Sequence, residues 1–169
     1  MTVVAVSDTG PLIHLGEIHS LELLDAFDRL YVPETVYDEL ERGGVPDGLE
    51  KLSFERLEPD EFQPETTELD PGERAALAVA NEREAVLLTD DLAARDAAVE
   101  HGIDVHGSLG VIAIAYAHGL VDRDEAATLM RALQRETSFV RNRGYRRACD
   151  PKARGVTDVR TADCPAFCE

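Results

Sequence analysis

Residues 3–11 read Val3-Val4-Ala5-Val6-Ser7-Asp8-Thr9-Gly10-Pro11 and indicate how the fold begins. The first four of these residues form an apolar, mainly β-branched run, which is typical of a buried strand. Gly10-Pro11 marks a turn that can open a helix, because proline suits the first helical turn. Asp8 is therefore predicted to lie where a buried strand ends and a helix begins.

The same alternation of strand and helix continues along the chain. Further strands are predicted at residues 29–32, 52–57, 85–89 and 103–105, the second of them at an edge. Helices are predicted at residues 20–27, 33–42, 70–83, 91–102, 108–118 and 122–137, and a loop at 58–69. This order predicts an α/β fold in which helices cover both faces of a mainly parallel sheet.

The length of 169 residues favours a single domain over two. We expect this domain at residues 1–147 and a loosely ordered C-terminal extension at 148–169, because hydrophobic periodicity ends near residue 150. No apolar run approaches the roughly 18 residues of a membrane-spanning helix, and the first residues lack the pattern of a signal peptide. A cytoplasmic location without a membrane partner is therefore expected.

The composition is strongly acidic, with 34 acidic against 17 basic residues and a net charge of −17. Lys51 and Lys152 are the two lysines in the chain. An acidic, lysine-poor surface predicts a halophilic protein, because high salt screens the repulsion between its carboxylates. This charge disfavours a nucleic-acid partner, since phosphate contacts need lysine and arginine, unless bound metal ions supply positive charge locally.

Basic residues are concentrated at the C-terminal end. Residues 141–169 carry seven basic and four acidic groups, which gives this segment a net charge of +3. Such a run is often only a solvated surface, but it is also the part of the chain best suited to bind phosphates. The candidate RNA-binding residues are Arg141, Arg143, Arg146 and Arg147.

Carboxylates follow two of the most apolar predicted strands. Asp8 follows the first strand, and the pair Asp90-Asp91 follows the strand at 85–89. In open parallel sheets, ligands bind beyond the carboxyl ends of the strands, so these acids are candidates for a common site. The alternatives stay open, because Asp8 could form a turn and Asp90 or Asp91 could cap the next helix.

Two helices add further acids on faces that should be buried. Glu39 lies on the same stripe as Val36 and Leu40, and a carboxylate there is costly unless something pairs with it. Glu73 heads an apolar stripe of the helix at 70–83, although Asp70-Pro71-Gly72-Glu73 is also a good helix-start signal. Glu73 is therefore a candidate ligand, a cap, or both.

Carboxylates that converge on one site repel each other. Some must then be protonated, or a divalent cation must lie among them. With no histidine or cysteine expected nearby, oxygen ligands of this kind suit Mg²⁺ or Mn²⁺. Such a site could activate water and stabilise the displacement at a phosphodiester.

Five short motifs, in this order and spacing, resemble the PIN-domain family and, within it, the VapC-type toxins of prokaryotic toxin–antitoxin pairs. The resemblance covers about residues 3–120 and is weaker to about 147. The motifs are Asp8-Thr9-Gly10-Pro11-Leu12-Ile13, Val32-Pro33-Glu34-Thr35-Val36-Tyr37-Asp38-Glu39-Leu40, Gly72-Glu73-Arg74-Ala75-Ala76-Leu77, Leu87-Leu88-Thr89-Asp90-Asp91 with Ala94-Arg95, and Gly107-Ser108-Leu109-Gly110.

The resemblance implies a three-layer α/β/α fold, a ribonuclease site that uses Mg²⁺ or Mn²⁺, and a homodimer. It also implies that a small antitoxin protein inhibits the enzyme. The catalytic and metal-binding residues carried over are Asp8, Glu39, Glu73 and Asp91, with Asp90 as second choice for the fourth ligand. Thr9 and Ser108 would be hydroxyls that support the ligands. The family more often has aspartate where this chain has Glu73.

Two other classes of function are compatible with some of these residues. A metal-dependent phosphatase would use Asp8 as a nucleophile, but haloacid-dehalogenase-like enzymes need a second aspartate two residues later, where this chain has Gly10. A catalytically weak PIN-like subunit that binds RNA or protein keeps the same residues, so the sequence leaves this alternative open.

Overall fold

The structure is a computed structural model that describes residues 2–59 and 68–136. The end of the predicted domain at residue 147 and the extension at 148–169 lie outside the described residues. The same holds for the predicted RNA-binding residues Arg141, Arg143, Arg146 and Arg147, and these assignments stay predictions.

The described residues form one five-stranded sheet with the strand order β3-β2-β1-β4-β5, and all four pairings are parallel. The strands are β1 (Val4–Ser7), β2 (Arg29–Pro33), β3 (Glu55–Leu57), β4 (Val86–Leu88) and β5 (Val105–His106). The central strand β1 pairs with β2 and β4, so that Val6 lies opposite both Tyr31 and Leu87. This confirms the predicted parallel sheet.

Six α-helices surround the sheet within the described ranges: α1 (Thr9–Glu17), α2 (Glu34–Gly43), α3 (Pro71–Glu82), α4 (Leu92–Glu100), α5 (Ser108–Ala117) and α6 (Arg123–Glu136). The helix α3 packs against β1, β2 and β4 and against α4, whereas α1, α5 and α6 pack on one another. In the described part of the chain, every helix is too short or too polar to cross a bilayer.

Both faces of the sheet are covered. Successive side chains of a strand point to opposite faces, so neighbours that are both buried require a layer on each side. Ala5 and Val6 in β1 are fully buried, and so are Leu87 and Leu88 in β4. The predicted three-layer α/β/α fold is therefore confirmed.

Two predicted elements differ from the structure. The helix predicted at 20–27 is a 3₁₀ helix, Leu21–Ala26, because this short segment buries Leu21, Leu23 and Leu24 just before the chain enters β2. The strand predicted at 52–57 forms only at Glu55–Leu57, where it pairs with β2 at the edge of the sheet. An alternating pattern shows which residues suit a strand, but the neighbouring strand decides how many of them pair.

The buried position of Leu87 gives a stability test. Leu87→Ala should lower the free energy of unfolding by about 2–5 kcal/mol, because it removes buried apolar atoms and leaves a cavity between the two helical layers. Val99→Ala on α4 is the matched control, since Val99 is 64% exposed. Urea unfolding should show a clear loss for the first variant and almost none for the second. Equal losses would contradict this description of the core.

Candidate functional site

The candidate site lies at the carboxyl ends of β1 and β4. These two strands are parallel neighbours, so both chains leave the sheet at the same edge. The backbone N–H of Asp8 still donates to the carbonyl of Leu88, at 2.9 Å, which holds the two exits side by side. Asp8 is thereby brought next to Thr89, Asp90 and Asp91, more than 80 residues later in the chain.

Asp8 is a buried carboxylate, and only one of its two oxygens accepts a hydrogen bond. Its Oδ2 accepts a hydrogen bond from the Thr89 hydroxyl at 3.0 Å, whereas its Oδ1 is buried and has no hydrogen-bond partner. The pKa of Asp8 is raised to about 7, mainly by burial and to a smaller extent by the charges of Asp70 and Glu39. The Thr9 backbone amide and the Thr89 hydroxyl act in the opposite direction and lower the pKa.

Glu39 reaches the site from α2 and is fixed between two helix N-termini. Its Oε2 accepts a hydrogen bond from the Thr9 hydroxyl at 2.9 Å, and its Oε1 accepts one from the Gly72 backbone N–H at 3.0 Å. A Cβ atom on Gly72 would overlap the Glu39 carboxylate, with Cδ and Oε1 only 2.8 Å away. Glycine is therefore needed at this position for Glu39 to approach α3.

Glu73 is part of the N-terminal cap of α3. Asp70 Oδ1 accepts from the Glu73 backbone N–H at 2.8 Å, and Glu73 Oε2 accepts from the Asp70 backbone N–H at 2.9 Å. Burial raises the pKa of Glu73 to about 7, and the charges of Asp91, Asp70 and Asp8 add to this shift. The capping interaction predicted for Asp70 and Glu73 is thus present, and Glu73 also lies among other acids.

The adjacent residues Asp90 and Asp91 have different surroundings. Asp91 Oδ1 caps α4 by accepting from the Ala94 backbone N–H at 3.0 Å, and the charge of Asp91 acts on Glu73. Asp90 points elsewhere and bonds to His14 and Ser108. Ser108 therefore lies beside Asp90, whereas Thr9, the other predicted supporting hydroxyl, contacts Glu39.

The four acids predicted from the sequence lie close enough for the charge of one to raise the pKa of another. The pKa of Asp8 is raised by Glu39, and that of Glu73 by both Asp8 and Asp91. Among the described residues, however, no group of three or more histidine, cysteine, aspartate or glutamate side chains is close enough to hold a metal ion. The acids therefore influence one another electrostatically, but no three of them are close enough together to bind one metal ion.

The donor set fits a divalent cation in its chemistry. Asp8 Oδ1 is a buried oxygen without a hydrogen-bond partner, and a cation would satisfy it. A cation would also offset the cost of burying these charges and the repulsion between them, which together raise the pKa values of Asp8 and Glu73 to about 7. Asp8, Glu39, Glu73 and Asp91 are the candidate ligands, and at least three of them would have to move closer together than they lie in this structure to bind one ion.

Several neighbours of these acids are not among the residues that the sequence predicts for the site. Thr89 could have been found, because it directly precedes Asp90 within the motif that carries the resemblance. His14 and the close approach at Gly72 have no local signal, since each depends on a contact between distant segments. The expectation that no histidine lies nearby is wrong, because His14 Nδ1 is 2.7 Å from Asp90 Oδ2.

The sequence matches the model of a known protein family. A family model described as "DUF3368: PIN domain" matches residues 4–152, which is most of the sequence. The chain belongs to the PIN-domain family. PIN domains are in general metal-dependent nucleases, so a nuclease-type function at this site follows at the level of the class. The expected resemblance is confirmed for the family, whereas the VapC-like subtype stays a prediction.

A solved structure supports the same fold. A PilT N-terminus domain protein from the hyperthermophilic archaeon Sulfolobus solfataricus P2 is similar with a TM-score of 0.55 and 18% sequence identity. The alignment covers 67% of this chain and 93% of that protein. At this identity the likeness concerns the fold alone. No curated protein matches the sequence.

The raised pKa values predict how stability depends on pH. Folding raises the pKa of Asp8 from 3.8 and that of Glu73 from 4.5, both to about 7. Between these values the folded PIN domain binds more protons than the unfolded chain, so its free energy of unfolding should fall as the pH rises from about 4 to 7. Urea unfolding in the presence of a chelator measures this slope.

Asp8→Asn is the control for that measurement. Its slope should be shallower, because the buried carboxyl that gains a proton on folding has been removed. Mn²⁺ should stabilise the natural protein more at pH 8 than at pH 5, since deprotonated carboxylates bind the cation. Identical slopes for the two proteins would contradict the assigned environment of Asp8.

Proposed function

We propose that this PIN domain is an endoribonuclease that cleaves RNA phosphodiesters with Mg²⁺ or Mn²⁺ at the carboxylate cluster. The observation that carries the proposal is the buried, unpartnered Oδ1 of Asp8 at the carboxyl ends of the central strands, among other acids. Carboxylate oxygens are hard ligands, and a site that offers them without a cysteine thiolate suits Mg²⁺ and Mn²⁺. Repulsion between the acids supplies the energetic reason to bind one.

The proposed roles follow from the contacts of each side chain. Asp8, Glu39, Glu73 and Asp91 hold the cation, which when bound supplies Lewis-acid stabilisation of phosphate charge and lowers the pKa of water. The Thr9 hydroxyl and the Gly72 amide orient Glu39. The Asp70 amide orients Glu73, and the Ala94 amide orients Asp91. Asp91 rather than Asp90 is the proposed fourth ligand, because its charge acts on Glu73.

The negative charge of the protein is compatible with an RNA substrate if positive charge is present where the phosphates bind. The chain has a net charge of −17, so general attraction for phosphates is not available. A cation at the cluster faces the scissile phosphate directly. We assign further phosphate contacts to Arg141, Arg143, Arg146 and Arg147 in the basic segment.

We further propose the biological setting implied by the likeness to VapC-type toxins. The protein is the toxin of a toxin–antitoxin pair, forms a homodimer and is inhibited by a small antitoxin protein. The acidic, lysine-poor composition supports a cytoplasm of high salt concentration as its location. Activity should accordingly be assayed at high ionic strength.

A second candidate is a catalytically weak PIN-like subunit that binds RNA or protein. It is favoured by one observation, the lack of a closed group of three metal-binding side chains among the described residues. A phosphatase is a weaker candidate, because Gly10 lies where a second catalytic aspartate would be needed. Metal-dependent cleavage of RNA separates the nuclease from both.

Cleavage of a pool of cellular RNAs by the full chain tests the proposal. The assay uses Mn²⁺ or Mg²⁺ in high salt after any bound antitoxin has been removed. Glu39→Gln should lose cleavage to the level of Asp8→Asn, because each removes a proposed ligand. Glu41→Gln should retain it, since Glu41 lies on the same helix but is exposed. Equal, metal-independent cleavage by the natural protein and the three variants would rule out the proposed nuclease.

The close approach at Gly72 gives a second activity test. Gly72→Ala should reduce cleavage by about 10- to 100-fold, because the new methyl group displaces the Glu39 carboxylate. Stability should change little, since the displaced group is the end of a flexible side chain. Gly43→Ala is the matched control, because its added Cβ would have no atom within 4 Å beyond its chain neighbours and the backbone of its own helix. Full activity of Gly72→Ala would contradict the assigned role of Glu39.

A further inference from the structure

Three hydrogen-bonded residues with largely or fully buried side chains lie next to the carboxylate cluster in the fold, and we call Asp90, His14 and Ser108 the Asp90 clamp. Asp90 follows β4, His14 lies on α1, and Ser108 begins α5. The Asp90 side chain is only 5% exposed and that of His14 only 13%. The clamp therefore joins three elements that are far apart in sequence.

Both carboxylate oxygens of Asp90 are occupied. Oδ1 accepts from the Ser108 backbone N–H at 2.7 Å, and Oδ2 accepts from the Ser108 hydroxyl at 2.5 Å. His14 Nδ1 also lies 2.7 Å from Oδ2, and it must carry the hydrogen there if Asp90 is ionised, because a carboxylate only accepts. These contacts tie both oxygens of Asp90 to α1 and α5, whereas the charge of Asp91 acts on Glu73.

Backbone close to Asp90 leaves it little freedom to turn. A Cβ atom on Gly107 would lie 2.5 Å from Asp90 Oδ1, and one on Gly10 would lie 3.6 Å from Asp90 Cβ. Gly10 belongs to the segment that follows Asp8, so Asp90 packs against the exit of β1 as well as that of β4. The side chain is thus fixed by packing as well as by hydrogen bonds.

The residues on either side of Asp90 both contribute to the carboxylate cluster. The Asp91 backbone N–H donates to Thr89 Oγ1 at 3.2 Å, and the Thr89 hydroxyl in turn donates to Asp8 Oδ2 at 3.0 Å. Asp91 is itself one of the proposed ligands. The turn at 89–91 therefore determines where Asp91 lies and how one oxygen of Asp8 is held.

We propose that Asp90 is a positioning residue of the metal site and not one of its ligands. Anchored by His14 and Ser108, it fixes the turn at 89–91 so that Asp91 faces Glu73 while Thr89 binds Asp8. This inference rests on the proposed metal site but not on RNA being the substrate. A clamp that only stabilised the fold would leave the affinity for a cation unchanged.

Mn²⁺ binding to the full chain, measured by calorimetry after chelation and dialysis, is the test. His14→Leu and Ser108→Ala should each raise the Kd by about 10-fold or more, because residues that orient metal ligands have effects of this size. His14→Asn should stay close to the natural protein, since its side-chain amide can place a donor where Nδ1 lies. Asp8→Asn shows how much of the binding belongs to the site.

Cleavage rates at increasing Mn²⁺ supply a second measurement. The clamp variants should approach the natural kcat once the cation saturates the site, which a general loss of structure would not permit. Urea unfolding of each variant shows that it is folded, and if Ser108→Ala is not, the pair His14→Leu and His14→Asn still decides the matter.

Three results would overturn the proposal. These are an unchanged Kd in folded His14→Leu, an equal loss in His14→Leu and His14→Asn, and no Mn²⁺ binding by the natural protein. A raised Kd in the clamp variants of a protein that does not cleave RNA supports the clamp and refutes only the proposed ribonuclease.

Discussion

The parallel pairing of β1 with β4 is the constraint on which the site depends. It joins the two chain exits through the hydrogen bond from the Asp8 N–H to the Leu88 carbonyl. Because the strands run in the same direction, both exits lie at one edge of the sheet and the acids that follow them meet there. The helices then add Glu39 and Glu73 from the neighbouring segments α2 and α3. Without this pairing, Asp8 and Asp91 would have no reason to be close.

Helix N-termini hold most of the acids in place. The amides of Gly72, Asp70 and Ala94 each donate to a carboxylate oxygen, of Glu39, Glu73 and Asp91 respectively. Such donors favour the charged form of a carboxylate and fix its direction. Burial and mutual repulsion nevertheless raise the pKa values of Asp8 and Glu73 to about 7. The site is therefore organised as a polar structure but retains negative charge that a cation can neutralise.

The acidic composition is compatible with the nuclease class of the family. The repulsion by the net charge is long-range, whereas the attraction by a bound cation would act in direct contact. A net charge of −17 repels phosphates over the whole surface, and salt screens that repulsion beyond about 10 Å at 0.1 M and beyond about 3 Å at 1 M. A cation held by the cluster, as proposed, would act on a phosphate in direct contact, where salt screens it much less. Recognition of an anionic substrate would then depend on the site rather than on the overall charge.

Local pattern in the sequence determined the order of the elements, the parallel sheet and the acids at the ends of β1 and β4. It also placed Glu39 on a buried stripe, since the apolar period of a helix is a local property. Only the tertiary structure decided that Asp90 bonds to His14 while the charge of Asp91 acts on Glu73, that Thr89 binds Asp8, and that β3 is short. These features depend on contacts between segments as many as 81 residues apart, and no local pattern encodes them.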